Sequence, residues 1–141
     1  MPLNETLPVD IDTRLATLGE AIADASHEVV FAYLFGSVDT PRRTPRSDVD
    51  VAVYAASTSD RDDLRLRVAA AASKHLGTDA VDVVLLNTAP LSLAGRVLTR
   101  RRVILDRQPF VRHRYESLTA RMFSDFRIRE HRLLKQRFAR G

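Results

Sequence analysis

The segment from Val29 to Tyr54, VVFAYLFGSVDTPRRTPRSDVDVAVY, confines this chain to a narrow set of folds. Its first seven residues are aliphatic or aromatic and predict a buried strand ending at a glycine. Gly36 admits a backbone conformation, or a close approach, that a Cβ forbids. Ser37 sets a small hydroxyl beside backbone N–H groups, and a short helical turn starting there aims free N–H groups at an anion. The spacer, residues 38–47, holds Pro41, Pro45 and three arginines, so it reads as a loop. A second strand follows over residues 48–54.

Alternate residues of a strand share a face, so Asp48 and Asp50 project together. Two carboxylates at that spacing repel unless cations lie between them. Oxygen ligands of this kind on a rigid strand suit Mg²⁺, which binds through one or two carboxylates plus phosphates. Residues 80–87, AVDVVLLN, predict another buried strand, interrupted by Asp82. A charge inside a core strand is costly unless paired or metal-bound. With this strand beside the second, Asp82 completes a site of three carboxylates, enough for two Mg²⁺ ions. Each feature alone is commonplace: Asp-x-Asp at a solvated edge, Gly-Ser in a turn, Asp82 on an exposed strand. Their order, with strands on both sides, selects the functional reading.

The remaining chain alternates helices with strands, which argues an α/β class. Asp12 and Thr13 can cap a helix over residues 14–26 with Leu15, Leu18 and Ile22 on one face. Ser59 and Asp60 can cap another that buries Leu64, Val68, Ala71 and Ala72 and stops at Gly77. Pro90 opens a short helix, residues 103–106 form a short strand, and a long helix starts at Pro109. On that helix Val111, Tyr115, Leu118, Met122, Phe126 and Leu133 recur at helical spacing and predict a core-facing stripe. Arg112, Arg114, Arg121, Arg127, Arg129, Arg132 and Arg137 form its other face, solvated or docked to a partner. Tyr33 and Tyr54 read as structural strand residues. The expected organisation is a catalytic unit over residues 1–108 with a basic helix, residues 109–141, packed on it.

The 141 residues suffice for one domain with a proper core. There is no cysteine, which excludes a disulfide framework and a thiolate zinc site. The four histidines are scattered, away from the three aspartates, and read as surface or interface residues. Residues 1–95 hold 8 Arg or Lys against 14 Asp or Glu, and residues 96–141 hold 14 against 4. The net charge of +4 thus hides an acidic half and a basic tail, which suits an acidic partner surface or nucleic acid. The first residues carry no basic-then-apolar leader and no apolar run approaches a membrane span, so a cytoplasmic enzyme with no membrane partner is expected.

The pattern of strand, Gly36-Ser37, ten-residue spacer, Asp48-x-Asp50 and a later strand carrying Asp82 resembles the nucleotidyltransferase superfamily of DNA polymerase β. The match is closest to its minimal nucleotidyltransferases, the MNT proteins, and spans roughly residues 13–106. The resemblance implies a short mixed sheet packed with helices. It implies that Gly36 and Ser37 hold nucleotide phosphates, and that Asp48, Asp50 and Asp82 hold two Mg²⁺ ions. ATP would be the substrate. Relatives of this kind are antitoxins that transfer AMP to a tyrosine of a HEPN-domain ribonuclease toxin; others modify small molecules or extend RNA. The spacer departs from the family, with Pro41-Arg42-Arg43-Thr44-Pro45-Arg46 where small residues are common. The competing expectations are a toxin- or RNA-binding module with little catalysis, and nucleotide addition to RNA or a small molecule.

Overall fold

The computed structural model describes residues 6–57 and 60–139, and side chains up to residue 137. Two short helices, α1 (Ile11–Ala16) and α2 (Leu18–Ala25), lead into β1 (Val29–Phe35). A single 3-10 turn, Ser37–Asp39, follows. Then come β2 (Val49–Ala55), α3 (Arg61–Leu76), β3 (Val81–Leu85), α4 (Leu91–Thr99), β4 (Arg102–Asp106) and the long α5 (Pro109–Ala139). The four strands form one mixed sheet in the order β3-β2-β1-β4. β1 is antiparallel to both β2 and β4, whereas β2 and β3 run parallel.

Period-two alternation divides the sheet between two cores. Val49, Val51 and Val53 of β2 join Leu15, Ile22, Leu64, Val68 and Leu76 on the face covered by α1, α2 and α3. Ala52 and Tyr54, pointing the other way, join Phe31, Tyr33, Val97 and Leu98 beneath α4 and the start of α5. On that second face Phe31 stacks on Tyr54 at 4.8 Å between ring centroids, and Tyr115 tilts against both at 5.5 and 5.3 Å. The strand tyrosines are structural, as expected. The Tyr33 hydroxyl donates to Glu116 Oε2 at 2.8 Å, and Glu116 also receives Arg101 and Arg112. Arg112 in turn reaches Asp106 at 2.8 Å, so the first turns of α5 are clamped to β1 and β4.

Two expectations change. The helix expected over residues 14–26 is two helices, and it is not capped by Asp12 or Thr13. The Thr17 N–H bonds back three residues to the Arg14 carbonyl, which breaks the i→i−4 ladder and starts a new axis. The bend lets Leu15 and Leu18, on either side of it, both be fully buried. For α3, Asp60 is the cap, accepting from the Asp63 N–H at 2.9 Å, while Ser59 lies outside the described residues. Gly77 closes α3 in the left-handed region, as the sequence implies.

The second change concerns α5. Only Val111 and Tyr115 of its apolar stripe pack on the core. Leu118, Met122, Phe126 and Leu133 are between 41 and 65% exposed. At about 1.5 Å per residue, a helix of 31 residues is roughly 46 Å long, twice the reach of the seven-residue strands below it. Among the described residues, the apolar side chains Ile128, Leu133 and Leu134 of its outer half stay exposed.

Candidate active site

The site sits where β1 ends and β2 begins. Gly36 takes φ +83° and ψ −171°, a region that side chains other than glycine's scarcely visit. A Cβ placed there would lie 2.1 Å from Asp50 Oδ2. Gly36 is thus glycine for both reasons the sequence offers, its conformation and the approach of a neighbour. That neighbour is a proposed ligand. The Asp39 and Thr40 N–H groups fold back on the carbonyls of Gly36 and Ser37, making the expected turn. Ser37 is exposed at its start.

Asp50 and Asp82 face each other as register partners on the parallel strands β2 and β3. Partners in adjacent strands point to the same side of a sheet, here the second face, since the flanking valines of both strands enter the first core. Asp48 precedes β2 by one residue, so it belongs to the loop end and not to the strand as expected. The burial argument for Asp82 also needs correction. β3 is an edge strand whose second face is open at this end, and Asp82 is exposed. Its placement beside Asp50, and not a cost of burial, makes it a candidate ligand.

The Asp50 carboxyl is pushed up to about 6, first by desolvation and then by the charges of Asp82 and Asp48. The charges of Asp82 and Asp48 are therefore close enough to be felt at Asp50. Among the described residues no three acidic or histidine side chains are drawn together as a ready-made metal cage. Mutual repulsion opposes such a cluster until cations offset it. The donor set fits Mg²⁺ all the same: hard oxygens, Asp50 and Asp82 held in register on strands, and Asp48 two residues away.

The raised value predicts a pH signature. The folded chain holds the Asp50 proton more tightly than the unfolded chain does. Stability is therefore gained as pH falls through about 6 toward the ordinary carboxylate value and lost as pH rises through about 6. Asp50→Asn removes that loss. Without divalent metal and above pH of about 7, the variant should exceed the parent by on the order of 1 kcal/mol, a figure discounted for partial solvent screening. The difference should vanish near pH of about 4. Thermal midpoints of both proteins across pH provide the check; parallel curves would contradict it.

Arg43 of the spacer is not available to a nucleotide. It bonds Asp12 at 2.6 and 3.0 Å and the Val38 carbonyl at 3.3 Å, tying the loop to α1. Arg42 and Arg46 are exposed. His27, His113 and His131 are exposed, and His75 contacts Thr17 and the Arg14 carbonyl, so none belongs to the site. A groove of about 560 Å³ adjoins Gly36 on the second face, with Phe35, Leu93, Arg96, Arg100 and Arg127 in its wall. Motif reading passes over these residues. Arg96 and Arg100 carry only the signal of two cations four apart on the polar side of α4, whose meaning depends on where α4 docks.

Residues 20–110 match the family model described as "Polymerase beta, Nucleotidyltransferase". A comparison with curated proteins finds no match. Solved structures resemble the chain over most of its length. A chain in a crystal structure of the toxin–antitoxin MntA–HpeT, a mutant with two Asp-to-Glu changes, has a TM-score of 0.72 at 22% identity, covering 88% of this chain and 98% of that one. A chain in a toxin–antitoxin structure with AMP-PNP has a TM-score of 0.71 at 24% identity, with the same coverage. A chain in the structure of a tri-AMPylated Shewanella oneidensis HEPN toxin with an MNT antitoxin has a TM-score of 0.67 at 23% identity, covering 90% of this chain and 98% of that one. At these identities the likeness establishes the fold, a mixed sheet packed with helices. The family match takes in the Gly36-Ser37 turn and all three aspartates, and by it this chain belongs to the polymerase beta nucleotidyltransferase family.

Proposed function

We propose that the chain transfers AMP from ATP to a tyrosine hydroxyl of a partner protein and so acts as the antitoxin of a HEPN-type ribonuclease toxin. The observation that carries the catalytic part is the register of Asp50 with Asp82, on the face beside Gly36 and two residues from Asp48. Asp48, Asp50 and Asp82 would hold Mg²⁺, which supplies charge stabilisation at the transferred phosphoryl group. The Gly36-Ser37 turn orients the nucleotide. The acceptor oxygen attacks the α-phosphorus, the bond from that phosphorus to the bridging oxygen of the β-phosphate breaks, and pyrophosphate leaves with the electron pair. Asp82, exposed on the edge strand, stands on the acceptor side and receives the hydroxyl proton.

A protein acceptor is supported by what the fold leaves open. The outer half of α5 exposes Ile128, Leu133 and Leu134 beside Arg129, Arg132 and Arg137, a mixed surface of the kind partners cover. The related complexes join a HEPN toxin to an MNT antitoxin, in one case with the toxin tri-AMPylated. A cytoplasmic setting suits a nucleotide-dependent antitoxin; no described helix is long and apolar enough to cross a membrane.

The test is intact-mass analysis of the HEPN-type protein encoded beside this chain, after incubation with the chain, ATP and Mg²⁺. One or more AMP adducts on tyrosine are expected. An unmodified partner in a stable complex would instead establish the second reading, a binding module that neutralises by contact, which the exposed surface of α5 also favours. RNA as acceptor ranks lower, since few aromatics are available to stack bases; RNA binding with steep salt dependence would raise it.

A further inference from the structure

The Gly36 turn lacks a feature that a triphosphate needs. Its residues, Ser37, Val38, Asp39 and Thr40, include no cation, and Asp39 is acidic and already paired with Arg102 at 3.1 Å. Three aspartates stand alongside. Even with divalent ions present, the phosphates beyond the reacting one meet no positive charge from the turn itself. In the spacer, Arg43 is committed to Asp12, while Arg42 and Arg46 are exposed.

The second face supplies what is missing. The groove beside Gly36 receives Arg96 from α4, Arg100 from just past its end and Arg127 from α5 over an apolar wall of Phe35 and Leu93. Neighbouring arginines are neutralised: Arg101 and Arg112 by Glu116 and Arg102 by Asp39, while Arg107 donates to three backbone carbonyls. Arg96 and Arg100 have no carboxylate at ion-pair distance among the described residues, and Arg127 rests over the Phe123 ring at 5.9 Å. Other arginines are also unpaired, on open surface; these three converge on one concavity that opens at the Gly36 turn. α4 reaches this position because Gly95 lets the Phe123 ring of α5 approach to where a Cβ would be, 2.2 Å from its nearest ring atoms.

We propose that this groove is the polyphosphate subsite, in which Arg96, Arg100 and Arg127 bind the β- and γ-phosphates of the nucleoside triphosphate. The inference rests on the nucleotidyl-transfer reading and adds three binding residues to it. Guanidinium forks match phosphate oxygens in shape and charge, and their charge-assisted bonds are the strong kind. The departing pyrophosphate would leave into the same positive field. Because the arginines read charge and not the base, they should favour any nucleoside triphosphate over the corresponding nucleoside.

Calorimetric titration of the full chain with AMP-PNP, tripolyphosphate and adenosine, in Mg²⁺, tests the assignment. Arg96→Ala with Arg100→Ala should weaken AMP-PNP and tripolyphosphate by about tenfold to a hundredfold and leave adenosine unchanged. Arg127→Ala should weaken them less, and the Lys pair, Arg96→Lys with Arg100→Lys, should recover part of the loss. Arg114→Ala, on exposed α5 surface outside the groove, should have no effect. In a transfer assay the double alanine variant should raise KM for ATP more than it lowers kcat. All the substituted side chains are exposed, and thermal midpoints confirm folding. Equal AMP-PNP affinity in the parent and the double variant would overturn the subsite and leave nucleotidyl transfer standing. A parent chain that binds neither AMP-PNP nor tripolyphosphate would overturn both.

Discussion

Asp48→Ala combined with Asp50→Ala is expected to lower AMP transfer by about three orders of magnitude or more while the chain stays folded. The size follows from removing at once two of the three carboxylates proposed to hold metal. Metal stabilisation of a transferring phosphoryl group is worth several kcal/mol, and each 1.36 kcal/mol of barrier is about tenfold in rate. The stability expectation follows from the repulsion within the site. The Asp50 carboxyl is raised by desolvation and by the charges of Asp82 and Asp48, so its ionised form works against the fold when no cation offsets it. The double variant should therefore melt no lower than the parent in metal-free buffer at neutral pH. It should also lose the rise in midpoint that Mg²⁺ gives the parent. Transfer at the parental rate would sink the assignment of these two residues. Unfolding, in contrast, would show that they hold the β1–β2 end together.

Gly36→Ala is expected to damage stability and transfer together. Its backbone angles lie where a side chain costs on the order of 1–3 kcal/mol. The new methyl would also meet Asp50 Oδ2 at 2.1 Å, so the carboxylate or the turn must move. Phe35 pairs with Asp50 across β1 and β2, and a shift there passes directly to the strand that carries Asp50. Displacement of a reacting group by about 1 Å can cost a hundredfold in rate, so a loss of about that size is expected with a midpoint several degrees lower. Denaturation curves and the adenylylation assay on one preparation provide the measurement. A folded variant with unchanged transfer would mean that neither the strain nor the contact at Gly36 matters to the chemistry.

These effects differ in how far they were legible beforehand. The Gly36 constraint and the inward face of Asp50 follow from local rules: a strand that must stop, a residue without a Cβ, and a two-residue period. The turn at Ser37 and the Gly77 stop of α3 belong to the same class. Asp82 was legible through the expected adjacency of its strand to β2, which the structure bears out, but the burial argument fails. Its strand lies at the sheet edge, so the residue is exposed and its value comes from register with Asp50. The break at Thr17 escaped because one hydrogen-bond choice at the Arg14 carbonyl decides it, inside a pattern whose apolar spacing fits a single helix.

The apolar stripe of α5 shows the limit most clearly. Spacing reports which residues share a face of a helix, and Val111 and Tyr115 do share one with Leu118, Met122 and Phe126. Whether that face is covered depends on how far the sheet extends beneath it, and only the first turns are covered. The Arg-lined groove is a similar case. Arg96 on α4 and Arg100 just past its end, and Arg127 some thirty residues further on, converge only because Phe123 seats on Gly95 and Glu116 anchors α5 to Tyr33. The sequence alone thus determined the α/β class, the Gly-Ser turn and the family pattern that the three aspartates complete, because each depends on neighbours within a few residues. Tertiary structure alone decided which cations face the Gly36 turn and which apolar surface stays open, because long-range docking of α4 and α5 has no local period to announce it.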